Sequence, residues 1–360
     1  MSASTKFYTL RVLDIRPETA DTVSVALEAP EALRELFRFK QGQYLTLRTL
    51  IDGIDQRRSY SICSAPHENE LRVAIKKVEG GVFSTFANER LRVGDELRVM
   101  PPQGRFFTEL DIANHNLYVA FAAGSGITPV ISILKSVLHQ EPKSRFLLFY
   151  GNRSFDYIIF REQLEELKNR FPSRLALHHV LSRESIGAEL FYGRLDGYKC
   201  RAYSQRLFAP EDVDAFFLCG PEEMTLEIKS TLEALGVPAG RIHLELFTTP
   251  GAAKKALSTT GSAHKNAFDA SVTVIQDGMQ FDFRLPSDGS TLLDAAMRAG
   301  ADLPFSCKGG VCSTCKARIL EGEVAMEVCY GLETDEIEAG YVLTCQSHPK
   351  SQKLVVSFDA

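Results

Sequence analysis

The chain has 360 residues, 44% of them hydrophobic, and a formal net charge of −5. That length suits two or three domains with ordinary cores, which excludes a small disulfide-stapled scaffold. The charge is too slight for a nucleic-acid binder, and no run approaches the ~18 apolar residues of a membrane span. The opening MSASTKFYTLRVLDI has no apolar leader, so a cytoplasmic protein with reduced thiols is expected, contacting neither membrane nor nucleic acid.

Residues 7 to about 110 contain short β-rich runs, FYTLRVLDI, YLTLRTL and ELRVAIKKV among them. Turn residues break them roughly every ten positions, the rhythm of an antiparallel barrel. Inside this region RRSYSICS sets Arg58, Tyr60, Ser61 and Ser64 close together, and GGVFS follows with Gly81 and Ser84. Taken alone, the first stretch is more often an ordinary strand and the second an ordinary turn.

From about 117 the texture changes to strand, turn and helix. LYVAF precedes a helix with apolar Val130, Ile131, Leu134, Val137 and Leu138 at helical spacing. FLLFY, FREQLEELKNRF, LALHHVLS, AFFLC, a helix from about Pro221 to Leu235, and IHLELF continue the alternation. This pattern predicts a doubly wound parallel sheet.

Three strand ends in this region carry candidate chemistry. AAGSGITP holds Gly124, Gly126, Thr128 and Pro129, a G-x-G-x-x-P turn opening a helix, where backbone and dipole favour a pyrophosphate. GNRS puts Arg153 beyond a strand C-terminus, where adenosine riboses bind. Arg there accommodates a 2′-phosphate, whereas Asp or Glu would hold a 2′-hydroxyl, so NADPH is expected with NADH as the alternative. Arg183 in LSRES is a second candidate, and a solvated surface arginine is the plain reading of either. FFLCGPEEM ends its strand with Cys219-Gly220-Pro221, a place for a ligand or for a small buried hydrophobe.

TTPGAAKKALSTTGSAHKNA shows no apolar period and reads as a linker. Beyond it the charge balance changes. Residues 269–360 hold 14 acidic and 7 basic side chains, against 32 and 34 in the rest of the chain. ASVTVIQDGMQFDFRL predicts a hairpin turning at Asp277-Gly278, followed by a helix at LLDAAMRAG and strands KARIL and LVVSF.

CKGGVCSTC then places Cys307, Cys312 and Cys315 within nine residues, with Cys329 and Cys345 downstream. Zinc sites usually pair two C-x2-C knuckles, and only one is present. C-x4-C-x2-C with a distant fourth Cys is the spacing of plant-type [2Fe–2S] ferredoxins. A loop of Gly, Ser and Thr can turn backbone N–H groups toward the sulfurs of such a cluster.

Taken together, these motifs resemble the ferredoxin–NADP reductase superfamily, and specifically the reductase components of multicomponent oxygenases. PFSCKGGVCSTCK and AGYVLTCQSHP are similar to segments of its phenylacetyl-CoA epoxidase branch. The resemblance covers the whole chain and implies four segments. These are a flavin-binding β-barrel (1–112), a nicotinamide-binding α/β domain (113–247), a linker (248–268) and a β-grasp ferredoxin domain (269–360). R-x-Y-S-x-x-S matches the family's flavin signature. It implies that Arg58 pairs with phosphate, that Tyr60 faces the isoalloxazine, and that Ser61 reaches its reactive edge. Gly81 and Ser84 match the family's pyrophosphate turn.

The resemblance further implies that Cys219 lies beside the nicotinamide at the hydride-transfer point and that Glu245 and Phe247 border the flavin. It makes Cys345 the fourth cluster ligand, leaving Cys329 spare. FAD is the implied flavin, although phthalate dioxygenase reductase relatives use FMN. A di-iron hydroxylase is the implied partner, with the acidic module swinging on its linker. The NADH-dependent reductase of another hydroxylase or dioxygenase system, a redox-sensing regulator and a stand-alone flavin reductase are the other readings.

Overall fold

The computed structural model describes residues 6–185, 187–247, 268–287 and 289–360. These fall into two compact units, one built from residues 9–56 and 60–247, the other centred on residues 268–360. The linker expected over 248–268 lies, apart from Phe268, outside the described residues.

The first unit opens with six antiparallel strands: β1 (Tyr8–Thr19), β2 (Thr22–Glu28), β3 (Tyr44–Ile51), β4 (Ile54–Ser61), β5 (Leu71–Lys76) and β6 (Glu96–Val99). Their order is β4-β3-β6-β1-β2-β5. A bridge between Ile62 and Val73, with Cys63 N donating to Arg72 O at 2.8 Å, joins the two outer strands and closes the barrel. Closure removes the exposed sheet edges. Inward Leu10, Val12, Val25, Leu45, Leu47, Val73 and Ile75 fill the interior. Helix α1 (Val82–Glu89) follows the Gly80-Gly81 turn.

Next comes a five-stranded parallel sheet, β7 (Leu117–Ala123), β8 (Arg145–Asn152), β9 (Leu175–Leu181), β10 (Ala215–Gly220) and β11 (Ile242–Leu246), in the order β11-β10-β7-β8-β9. β7 and β10 are apolar on both faces because helices cover both. α2 (Ile127–Gln140) and α3 (Arg161–Arg170) lie over one core, and α4 (Gly197–Ser204) and α5 (Glu222–Ala234) over the other.

The periodicity of α2 predicts a single apolar stripe, yet every residue from Ile127 to Leu138 is buried. The reason is a second partner. On the face away from the sheet, Ser132 Oγ donates to Ser64 O at 2.6 Å and Lys135 Nζ pairs with Glu68 at 2.7 Å. The helix is therefore clamped between sheet and barrel, with each buried polar group matched.

In the second unit β12 (Asp269–Gln276) and β13 (Met279–Pro286) form the expected hairpin. Asp277 and Gly278 both have positive φ, 52° and 74°, as a two-residue turn of this type requires. After helix α6 (Leu292–Arg298) come β14 (Lys316–Glu321), β15 (Val324–Met326), α7 (Thr334–Glu338), β16 (Tyr341–Leu343), β17 (Ser347–Pro349) and β18 (Lys353–Ser357). The main sheet runs β13-β12-β18-β14-β16, with β18 parallel to β12. Leu292, Leu293 and Ala296 of α6 pack into a core with Val272, Val274, Leu354 and Val356. This is the β-grasp arrangement, and the cysteine loop fills the stretch between α6 and β14.

No helix among the described residues is long and apolar enough to cross a membrane.

Candidate functional site

In the first unit the motif residues gather where β7 and β10 lie side by side. Here the strand order reverses direction, the place where open α/β sheets bind ligands. Gly124 has φ +53° and open space where a side chain would start. Tyr150 Oη donates to Gly124 O at 3.0 Å and so holds the turn.

Gly126 serves a different need. A Cβ on it would stand 2.1 Å from the Cys219 carbonyl oxygen, so the absent side chain lets α2 approach the end of β10. Both glycines are expected at the pyrophosphate turn, and their surroundings differ. The structure gives Gly124 the open face and Gly126 the helix–strand contact. Thr128 Oγ1 donates to Ser125 O at 3.0 Å, and Pro129 sits in the first turn of α2, where its missing N–H leaves no gap. Gly220 is similarly tight, since a Cβ would lie 3.2 Å from Ala123 N.

Cys219 is fully buried at the end of β10, opposite Ala122 of β7 and Glu245 of β11. Burial pushes its thiol well above the usual range, and Glu245 pushes the same way once ionised, so Cys219 stays a neutral thiol. Glu245 keeps only part of its surface exposed, and Ser61 Oγ donates to its Oε2 at 3.0 Å. Desolvation raises this carboxyl to about 8, against the opposing effect of the Ser61 hydrogen bond. Ser61, Cys219 and Glu245, distant in the chain, thus meet where barrel and sheet join. Phe247, just past β11, is 37% exposed.

On β4 the Tyr60 ring lies 5.6 Å from Phe83 of α1. Arg58 Nη1 donates to the Arg57 carbonyl at 2.7 Å. Ser64 is turned inward: its hydroxyl donates to Glu70 O at 2.5 Å and accepts from Arg72 N at 3.1 Å, so it helps close the barrel. Ser84 Oγ donates to Gly81 O and accepts from Val78 N, both at 3.1 Å, shaping the turn before α1. Gly81 is the residue before the first turn of that helix, and no side chain among the described residues caps it. The free N–H groups there suit a phosphate.

Arg153 and Arg183 leave the ends of β8 and β9 side by side, with Arg183 N donating to Arg153 O at 2.9 Å. Both side chains are exposed. The nearby Glu184 carboxylate is engaged, accepting from Phe155 N at 2.9 Å. Asn152, buried beside Arg153, has a carboxamide nitrogen without a hydrogen bond. It stands inside the GNRS stretch, where the neighbouring arginine carries the stronger local signal.

In the second unit the four selected cysteines fall into two pairs. Cys312 Sγ lies 3.1 Å from Cys307 Sγ, and Cys315 shares a hydrogen bond with Cys345. The Cys312 thiol, together with backbone N–H groups of Gly309, Cys312 and Val311, lowers Cys307. The Cys315 thiol likewise lowers Cys345. Among the described residues no three His, Cys, Asp or Glu side chains surround one point suited to a single metal ion. Two thiol pairs with inward N–H donors are what a binuclear cluster needs, one pair for each iron, so this donor set fits [2Fe–2S] better than tetrahedral zinc. The Ser306 hydroxyl, buried beside Cys307 without a partner, is a further donor at this place. Cys329 is half-buried, and burial raises its thiol.

Family models match three stretches: an oxidoreductase FAD-binding domain over residues 10–108, an oxidoreductase NAD-binding domain over 121–229, and a 2Fe-2S iron-sulfur cluster binding domain over 274–350. The E component of the 1,2-phenylacetyl-CoA epoxidase of Escherichia coli K12 is 44% identical over 357 residues, 99% of both chains. The ferredoxin reductase component of 3-ketosteroid-9-alpha-monooxygenase from Rhodococcus rhodochrous is 35% identical, covering 97% of this chain and 96% of that one. This chain belongs to the oxygenase reductases of the ferredoxin–NADP reductase superfamily. As an oxygenase reductase it binds FAD, a nicotinamide dinucleotide and a [2Fe–2S] cluster, and it delivers electrons to an oxygenase component. Its fold agrees with that of phthalate dioxygenase reductase, which aligns over 98% of each chain with a TM-score of 0.59 at 22% identity.

Proposed function

We propose that this reductase draws on NADPH and serves the di-iron hydroxylase of a phenylacetyl-CoA epoxidase in aerobic phenylacetate catabolism. The observation that carries the partner is the 44% identity to the Escherichia coli epoxidase component along essentially the full length of both chains. The adjacent exposed Arg153 and Arg183, with Glu184 committed elsewhere, support the choice of NADPH.

The bound flavin supplies the conversion of a hydride's electron pair into single electrons, which an iron–sulfur cluster requires. Around it the chain's own groups position and shield. Tyr60 offers an aromatic face, and Arg58, Gly81 and Ser84 with the start of α1 hold phosphate. Gly124, Gly126, Thr128 and Pro129 shape the dinucleotide turn, and Gly220 lets the end of β10 pack closely against Ala123 beside it. The neutral Cys219 thiol, buried behind the end of β10, keeps charge away from the nicotinamide site. Ser61 and Glu245 hold a proton at the same place, because burial keeps the carboxyl protonated near neutral pH. Phe247 borders the flavin. Cys307, Cys312, Cys315 and Cys345 bind the cluster. None of the eight cysteines, all among the described residues, forms a disulfide, which supports a cytoplasmic setting.

Purified reductase, mixed with the epoxidase hydroxylase and phenylacetyl-CoA, should support product formation with NADPH as donor. Failure there, with turnover on a steroid monooxygenase and NADH, would favour the second reading, prompted by the 35% identical steroid relative. Absence of steady turnover with any acceptor would instead point to a redox sensor.

A further inference from the structure

We propose that Gln346 is a positioning residue that locks the cysteine loop to the fourth ligand and raises the reduction potential of the cluster through the Cys345 sulfur. This rests on the reading of Cys345 as a ligand. The Gln346 side chain is buried, with 6% of its surface exposed, immediately after Cys345. Its Nε2 donates to Cys345 O at 2.9 Å and to Lys308 O at 3.1 Å, and reaches Cys345 Sγ at 3.6 Å.

Two hydrogens thus serve three acceptors, drawn from both ends of the site. Lys308 is in the left-handed region at φ 50°, a strained place for a side-chain-bearing residue, and the carbonyl it presents is the one Gln346 holds. The aliphatic stem contributes separately. Gly310 has φ +74°, and a Cβ on it would meet Gln346 Cγ at 3.1 Å and Val328 O at 2.7 Å. Gln346 O also accepts from Glu327 N at 3.0 Å, and Gly310 O accepts from Tyr330 N and Gly331 N at 2.9 Å each. Residues 308–310, 327–331 and 345–346 therefore form one knot, with the Gln346 amide inside it.

An N–H donated to a thiolate stabilises whichever oxidation state carries more negative charge. For a cluster that is the reduced state, so the donor raises the potential. A residue that merely packed would govern retention of the cluster and leave its potential alone.

The test uses the full-length holoprotein, with reduction potential followed by spectroelectrochemistry. Gln346→Leu removes the donor without adding charge and should shift the reduction equilibrium about tenfold toward the oxidised form, about 59 mV for a one-electron couple. Gln346→Glu keeps the shape, loses the donor and adds charge, so it should fall further. A wild-type potential in cluster-bearing Gln346→Leu overturns the inference, even if Gln346→Glu is shifted, because charge alone would then explain the latter. Should neither variant keep its cluster, pulsed EPR of reduced wild type with ¹⁵N in the glutamine side chains decides. A coupled ¹⁵N is expected, and its absence overturns the inference. If Cys345→Ser leaves the cluster intact, the ligand reading fails. If it destroys the cluster while Gln346→Leu is normal, only the present inference fails.

Discussion

Ser61 Oγ and Glu245 Oε2 stand 3.0 Å apart, although 184 positions separate them in the chain. One belongs to an outer barrel strand and the other to the edge strand of the parallel sheet, so this single hydrogen bond joins the two motif-bearing layers. Its acceptor is a carboxyl that burial lifts to about 8.

That lift gives a pH dependence of stability with a definite sign. Below about 4.5, its ordinary value, Glu245 is neutral whether the chain is folded or unfolded. Between about 4.5 and about 8 the unfolded chain ionises while the folded one stays protonated, so stability falls as pH rises, and the loss is complete above about 8. Glu245→Gln should flatten this slope and melt higher than wild type at pH 8. A parallel pH profile in both proteins would show that the carboxyl ionises freely in the fold.

The two cysteines downstream of the loop should behave differently. Cys345→Ser should abolish acid-labile sulfide and the visible [2Fe–2S] absorbance, while flavin content is kept. Cys329→Ser should retain both, because its half-buried thiol lies outside the two pairs. Iron and sulfide assays on the two variants decide, and the reverse pattern would make Cys329 the ligand.

Gly124 and Gly126 are two residues apart but predict unlike failures. Gly126→Ala drives a methyl into the Cys219 carbonyl and should lower stability by about 1–3 kcal/mol or more. Gly124→Ala meets open space and costs only the left-handed backbone penalty of about 1–2 kcal/mol, yet puts its methyl on the dinucleotide side. Its main effect should be a higher KM for the nicotinamide. Thermal melts together with KM values separate the two.

Arg153→Ala should weaken NADPH use by roughly 10- to 100-fold, the value of one charge-assisted bond of ~1.5–3 kcal/mol. NADH use should hardly move. Steady-state kinetics with both donors check this, and equal losses would mean that Arg153 shapes the loop.

Much of this protein could be read from residues alone, wherever the chemistry is local. The spacing of Cys307, Cys312 and Cys315, the β-to-α change near residue 117 and the Asp277-Gly278 turn are all contained within short windows. Periodicity and turn propensity act over such windows, so no distant partner is needed to interpret them.

Other features had no local signal. That α2 is buried on every side follows from Ser132 and Lys135 meeting Ser64 and Glu68, 67 or 68 positions away. The inward turn of Ser64, the closeness of Gly126 to Cys219 O, and the grip of Gln346 on Lys308 O are likewise set by what packs opposite. A residue type states what a side chain can bond. Only the folded chain decides which partner is within reach, because burial makes each unmatched polar group costly and leaves few arrangements that satisfy them all.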